Sequence, residues 1–472
     1  MTVEVPLTIQ DAAAALRDGS LSSVGLTETL LERIEQTQDT LGAFVTDLRD
    51  QALDAASVAD AELAAGVDKG VLHGVPLAIK DIIAVAGAPT TANSRILDPE
   101  WGGDADAPVA ARLREAGAVF IGKATTSEFA LGAPDPEKGF PIPRNPWNLE
   151  HTPAGSSSGT GIAVAAGLAL GGLGTDTGGS VRGPACVNGH TGLKVTFGRV
   201  PKSGVVPLGY TLDSVGPMAR SAWDCAALLE VIAGHHPSDR FAADVPVPAY
   251  TELLTGSAEG MRIGVPRDYF FDAEGLDDEV RDSVLAAIDV LRDGGAEVVD
   301  VDLPYAKEAK EANTQIMVAE AFAYHRTNLA ERWTTYGAKT RPLLARGAFY
   351  SAGDHVQALR FRTWFRRTVA EVMSDVDVLI TPSAPTPPER IDEMDMDRRL
   401  AGPSFTGQWN LTGQPAAAVP VGFSATGLPL SMQVVGKPFA EATVLGVAHA
   451  YQQVTRHHLA VPALPAPAVV AA

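Results

Sequence analysis

Three serines stand in a row inside a glycine frame, Gly155-Ser156-Ser157-Ser158-Gly159. A fourth, Ser180, closes a second frame, Thr177-Gly178-Gly179-Ser180, 24 residues after Ser156. Glycine lets backbone come close to a ligand and turn its N–H groups inward. A serine hydroxyl is a weak nucleophile until a base takes its proton. Histidine is the usual base, and His73, His151 and His190 flank these motifs. None recurs with an acid at a telling spacing, so a histidine triad stays open at this level. Lysine is the other base. Lys80 closes the apolar run Gly74-Val75-Pro76-Leu77-Ala78-Ile79 and is followed by Asp81-Ile82-Ile83. A lysine acts as a base only when neutral, and burial lowers its pKa by disfavouring the cation. The competing role is structural: a buried stem whose ammonium pairs with an acid such as Asp81.

Thr177, Gly178 and Gly179 offer successive backbone N–H groups beside a serine. That is the material of an oxyanion hole, which stabilises charge developing on a carbonyl oxygen; a plain glycine turn has the same composition. The stretch lacks the lysine of a phosphate-binding loop and fits no dinucleotide fingerprint. Gly155-Ser156-Ser157-Ser158-Gly159 also matches G-x-S-x-G, the nucleophile elbow, with Ser157 at its centre. That motif needs a strand before it and a helix after it. A helix follows, but residues 145–153, with three prolines nearby at 143, 146 and 153, make a poor strand.

The elements that must hold these residues read as an α/β fold. Residues 8–65 read as helices, with Thr8 and Ser22 as N-caps and a third helix over 52–65. Residues 76–79 and 119–122 read as buried strands around a helix over 109–116. Prolines fill 133–154, an irregular approach to the serines. A small-residue helix is expected over 162–170, then helices over 222–232, 277–293 and 441–455, and a helical region from 304 to 373. Further strands are expected over 262–266, 296–301, 376–381, 415–421 and 431–435. No repeat and no linker divides the chain. The expected architecture is a single large domain, residues 1–460, with a central mixed β-sheet flanked by helices on both faces. Residues 66–220 are its motif-bearing core, and 461–472 form a Pro/Ala-rich tail expected to be disordered.

The 472 residues are 46% hydrophobic and 20% charged, enough for a large core. A formal net charge of −20 argues against nucleic-acid binding and against docking on anionic membranes. Two cysteines are too few for a disulfide framework. No basic n-region with an apolar stretch opens the chain, and no apolar run reaches a membrane span, so a cytoplasmic protein is expected. The serine stretch lacks clustered His or Cys at ligand spacing, so no metal and no cofactor are expected.

Taken together, these residues resemble the amidase signature family. The likeness runs in order through Gly74-Val75-Pro76-Leu77-Ala78-Ile79-Lys80-Asp81, Pro143-Arg144-Asn145-Pro146-Trp147, Gly155-Ser156-Ser157 and Gly174-Thr175-Asp176-Thr177-Gly178-Gly179-Ser180-Val181-Arg182. It continues through Gly192-Leu193-Lys194, Gly216-Pro217-Met218-Ala219-Arg220 and Pro429-Leu430-Ser431-Met432-Gln433. It covers nearly the whole chain. The resemblance implies a Ser-cis-Ser-Lys triad: Ser180 as nucleophile, Ser156 as the bridging serine after a cis Gly155–Ser156 bond, and Lys80 as base. It places the oxyanion hole at Thr177, Gly178 and Gly179, and makes Asp176 and Arg182 scaffolding. Three positions depart from the family pattern, Ala154 and Ser158 in place of glycines and Val195 in place of proline.

The implied activity is hydrolysis of a linear amide, or a related aryl acylamide, carbamate or urea, through an acyl-enzyme. The implied partner is a small-molecule amide, with no nucleic acid or membrane and with room for a homodimer. The alternative is a subunit that releases ammonia from glutamine for a tRNA-dependent amidotransferase, which much of the chain also resembles. That role needs an arginine and an acid for the charged ends of glutamine. Arg341 is available, but residues 403–410 offer no acid.

Overall fold

The computed structural model describes residues 4–395, 398 and 401–464. One sheet of 11 strands runs through the molecule. The strands are β1 (Phe44–Asp47), β2 (Pro76–Lys80), β3 (Val119–Ala124), β4 (Gly171–Asp176), β5 (Thr191–Lys194), β6 (Ser214–Ala219), β7 (Arg262–Pro266), β8 (Glu297–Val301), β9 (Val378–Pro382), β10 (Ala416–Phe423) and β11 (Pro429–Gly436). Their spatial order is β1-β3-β2-β4-β6-β5-β10-β11-β9-β7-β8. β2 pairs in parallel with both β3 and β4, and β7 in parallel with β8 and β9. The other pairings are antiparallel, so the sheet is mixed as expected. Every residue of β2, β3, β4, β5, β6, β9 and β11 is buried. Side chains alternate faces along a strand, so complete burial means that both faces are covered.

The helices fall close to expectation at both ends. Thr8 caps Ile9–Asp18 by accepting from the Asp11 N–H, and Ser22 caps Ser23–Leu41 by accepting from Gly25. The region from 304 to 373 resolves into Ala306–Glu331, Thr340–Ala345 and Ala352–Val372. Among the described residues, no helix is long and apolar enough to cross a membrane. Residues 465–472 of the expected tail lie outside the described residues.

One expectation is corrected. The small-residue helix is Ser158–Ala165 rather than 162–170, and strand β4 follows it at once. Glycine drives this placement. A Cβ on Gly159 would lie 2.2 Å from the Ala43 carbonyl oxygen and 2.3 Å from the Thr125 nitrogen. The first turn of this helix is therefore pressed against the backbone leaving β3, where only glycine fits. A Cβ on Gly172 would meet the Ala78 carbonyl at 2.3 Å, so β4 lies equally close to β2. These contacts bring Lys80, at the end of β2, beside the serines.

Candidate active site

Lys80 is fully buried at the end of β2. Its Nζ donates to Ser156 Oγ at 2.8 Å and to Thr175 Oγ1 at 2.8 Å. Burial pushes its pKa down to about 7, against the opposing pull of Asp176 and Asp213. Asp81 is not its partner. That carboxylate pairs with Lys123 Nζ at 3.3 Å and accepts from the Thr91 N–H at 3.1 Å. The structural role weighed for Lys80 therefore belongs to Lys123.

Ser156 follows a cis Gly155–Ser156 peptide bond. Its carbonyl accepts from Thr126 Oγ1 at 2.8 Å and from the Ser127 N–H at 3.1 Å, which anchors the serine loop to the end of β3. Ala154, where the family pattern has glycine, sits at φ 55°, in the left-handed region that glycine enters at least cost.

Ser180 lies in a turn after β4 that is held by one carboxylate. Asp176 Oδ1 accepts from the Gly179 N–H at 2.8 Å, Asn410 Nδ2 at 2.8 Å and Arg182 Nη2 at 2.9 Å. Its Oδ2 accepts from Arg182 Nε at 3.0 Å and the Val181 N–H at 3.1 Å. Burial works to raise the Asp176 pKa, but Arg182, Lys194 and Asn410 outweigh it and hold the group well below the usual carboxylate range. Arg182 also donates to the Thr406 carbonyl at 3.0 Å and to Gln433 Oε1 at 2.6 Å. Asp176 and Arg182 are thus tied into the frame of the turn.

Of the three N–H groups expected in the oxyanion hole, the structure engages one. The Gly179 N–H is already spent on Asp176. Thr177 lines a neighbouring cavity with Tyr210 and Asp213, and its hydroxyl donates to Asp213 at 2.6 Å. Among the described residues, the N–H groups of Thr177, Gly178 and Ser180 have no acceptor, and Gly178 and Ser180 line the cavities beside the Ser180 hydroxyl. Adjacent residues in a chain do not share one outlook, because each peptide plane turns its N–H separately.

Two cavities meet at Ser180. One, of about 360 Å³, also holds Ser156 and has apolar walls that include Leu131, Ile142, Leu208, Met317 and Met394. The other, of about 420 Å³, runs past Ser383, Glu389, Arg398 and Phe405, with Glu389 and Arg398 paired at 3.4 Å. Among the described residues, no hydrogen bond joins the Ser156 and Ser180 hydroxyls. Such contacts often tighten only when substrate is bound.

The competing candidates are all engaged elsewhere. Ser157 is fully buried, donates to the Thr175 carbonyl at 3.3 Å and accepts from the Thr175 N–H at 3.2 Å, with no strand before it. His73 lies 2.9 Å from Glu62, His151 bonds the Pro388 carbonyl at 2.7 Å, and His190 bonds the Thr191 carbonyl at 3.0 Å. None of the three lines either cavity. Among the described residues, no group of three or more His, Cys, Asp or Glu is arranged to hold a metal. Thr175 was legible only as part of a motif. Its position five residues before Ser180, on a strand beside β2, is the signal that points to Lys80.

A family model described as Amidase matches residues 25–445. The chain belongs to the amidase signature family. It is a hydrolase acting on carbon–nitrogen amide bonds. Curated relatives include the A-type subunit of glutamyl-tRNA(Gln) amidotransferase from Roseiflexus sp. (strain RS-1), 42% identical over 98% of this chain and 100% of that one. The protein of the same name from Geobacter metallireducens is 40% identical over 96% of this chain and 98% of its own. Among solved structures, native peptide amidase from Stenotrophomonas maltophilia superposes with a TM-score of 0.83 at 30% identity, over 99% of this chain and 100% of that one.

Proposed function

We propose that this amidase cleaves a small linear amide through an acyl-enzyme on Ser180. The observation that carries the reading is the 2.8 Å bond from a fully buried, acid-free Lys80 to Ser156 Oγ, inside the cavity that Ser180 also lines. Neutral Lys80 takes a proton from Ser156, which takes one from Ser180 as its oxygen attacks the carbonyl. The N–H groups of Gly178 and Ser180 receive the oxyanion. The relay then returns a proton to the leaving nitrogen, which would otherwise depart as a very poor leaving group. Water cleaves the acyl-enzyme by the same route.

Ser180→Ala tests this. Turnover should fall by about 10⁴-fold or more at unchanged circular dichroism, as removal of a nucleophile does in such triads. Ser157→Ala should fold less stably without abolishing turnover. A serine-reactive phosphonate should add its mass to Ser180, and an active Ser180→Ala protein sinks the assignment.

The second reading is the glutamine-hydrolysing subunit, and the relatives' names favour it over the first. The residues expected for that role do not supply it. Arg341 lines neither cavity, its guanidinium lying over the Trp333 ring at 5.6 Å, and residues 403–410 supply no acid there. Among the described residues, the Glu389–Arg398 pair is the acid–guanidinium couple in the lining that suits a zwitterion, and it supports this reading. Assays of glutamine, aliphatic amides and aryl acylamides with the isolated chain separate the two. Turnover of simple amides without a partner supports the first reading. Glutaminase activity that appears only with an added partner subunit supports the second.

A further inference from the structure

A trans peptide is flat, with its C=O and N–H pointing opposite ways, so a bond to the carbonyl fixes where the N–H points. That bond also polarises the N–H and strengthens it as a donor. Three consecutive peptides lead into Ser180, and each has its carbonyl held. The Gly178 carbonyl accepts from Thr406 Oγ1 at 2.6 Å, but the N–H of that peptide, on Gly179, is already bonded to Asp176. The Gly179 carbonyl accepts from the Gly183 N–H at 2.6 Å, so backbone aims the Ser180 N–H. The Thr177 carbonyl accepts from Asn313 Nδ2 at 3.3 Å. That peptide carries the Gly178 N–H, and here a side chain does the aiming.

Asn313 stands inside the 26-residue helix Ala306–Glu331, where asparagine is a poor helix former. It is 2% exposed. Met317, one turn further on, lines the same cavity as Ser180, so this face of the helix looks at the turn. A Cβ on Gly178 would lie 3.4 Å from Asn313 Nδ2 and 3.8 Å from Met317 Sδ. Among the described residues, Asn313 Oδ1 has no partner. A buried acceptor left unpaired costs stability, which makes an amide a poor choice for packing alone. Holding the Thr177 carbonyl accounts for it. We propose that Asn313 is a positioning residue for the reaction: it sets the Thr177–Gly178 peptide so that the Gly178 N–H meets the oxyanion as it forms. This role rests on Ser180 as the nucleophile. It acts through the peptide, since among the described residues Asn313 bonds none of Lys80, Ser156 and Ser180.

The rate at which a fluorophosphonate adds to Ser180 tests the proposal, because charge builds on a phosphoryl oxygen whatever the natural amide is. Asn313→Leu removes the donor at similar volume, and Asn313→Ala removes it with a good helix former should the larger side chain not pack. In both, the limiting rate at saturating reagent should fall by about 30-fold, less than the roughly 10²–10³-fold loss when an oxyanion donor is deleted outright. The reagent concentration for half that rate should change by less than about threefold, since the loss is in the transition state. The rising limb of the pH profile should stay at the Lys80 midpoint of about 7, whose contacts are untouched. A residue that only supports the fold would lower the urea midpoint and leave the rate per folded molecule unchanged in both variants. That result overturns the proposal, and so does a loss confined to the half-maximal concentration. Ser180→Ala separates the two readings. If it is inert while both Asn313 variants label at the wild-type rate, the positioning role falls alone. If it labels as fast as wild type, the nucleophile falls, and the positioning role with it.

Discussion

Two lysines sit on neighbouring strands of the same sheet, both buried, and their surroundings separate them. Lys80 ends β2 and Lys123 lies on β3, one register step away, where Ile79 faces Lys123 and Lys80 faces Ala124. Burial lowers the pKa of both. Lys123 meets a carboxylate, Asp81, together with Thr90 Oγ1 at 2.9 Å and the Pro89 carbonyl at 3.2 Å. Lys80 meets two hydroxyls, with Asp176 and Asp213 acting only from a distance. A buried lysine with a touching carboxylate is spent on holding structure together. One with only hydroxyls around it loses its proton near neutrality and becomes a base. The difference lies in which lysine Asp81 turns towards.

The largest expected effect is on Lys80. Lys80→Arg keeps the charge but cannot deprotonate, so turnover should fall by about 10³-fold or more. In the wild type, Lys80 is a cation below its pKa of about 7 and neutral above it. Turnover should therefore drop about tenfold per pH unit below the midpoint and hold level on the alkaline side. A profile of kcat against pH for both proteins checks this. Near-normal turnover in the arginine variant would merge the two lysines into one structural class.

Next is Asp81→Ala, which strands Lys123 as a buried, unpaired cation. Stability should fall by about 3–5 kcal/mol, read from urea unfolding, while the folded fraction keeps most of its kcat. Loss of kcat with stability intact would show that Asp81 serves Lys80 after all. Thr175→Val removes one of the two acceptors on Lys80 Nζ. Turnover should fall about tenfold, and the rising limb should move to lower pH because the ammonium loses a stabilising bond. An unmoved limb would leave Ser156 alone in setting the base. The smallest effect belongs to the double replacement Asp81→Leu/Lys123→Met. Exchanging a buried pair for apolar side chains of similar volume should leave stability within about 1 kcal/mol of wild type. A loss as large as that of Asp81→Ala would mean that the pair contributes more than mutual neutralisation.

Much of this architecture was readable from periodicity. Helix 222–232 and strand 262–266 fall where the pattern puts them, at Ala222–Ile232 and Arg262–Pro266, because their burial repeats along the chain. Strands β4 and β6, Gly-Gly-Leu-Gly-Thr-Asp and Ser-Val-Gly-Pro-Met-Ala, were not read as strands. Glycine and proline are poor strand formers, and a strand buried on both faces shows no alternation. They are strands because each is the other's antiparallel partner, Leu173 facing Pro217 and Gly174 facing Gly216. Pairing of segments some forty residues apart overrode local preference.

The sequence by itself determined the chemistry available: a lysine in an apolar run, serines in glycine frames, and a motif order that names the family. Those are properties of residue type and spacing, which one strand of text carries. Only the tertiary structure decided which groups are free to act. It turned Asp81 to Lys123, spent the Gly179 N–H on Asp176, buried Ser157 against Thr175, and set Thr175 beside Lys80. Each of these is an assignment of a hydrogen bond or a charge to one partner among several neighbours. Such assignments depend on distances of a few ångströms between segments far apart in the chain, and spacing along the chain does not encode those distances.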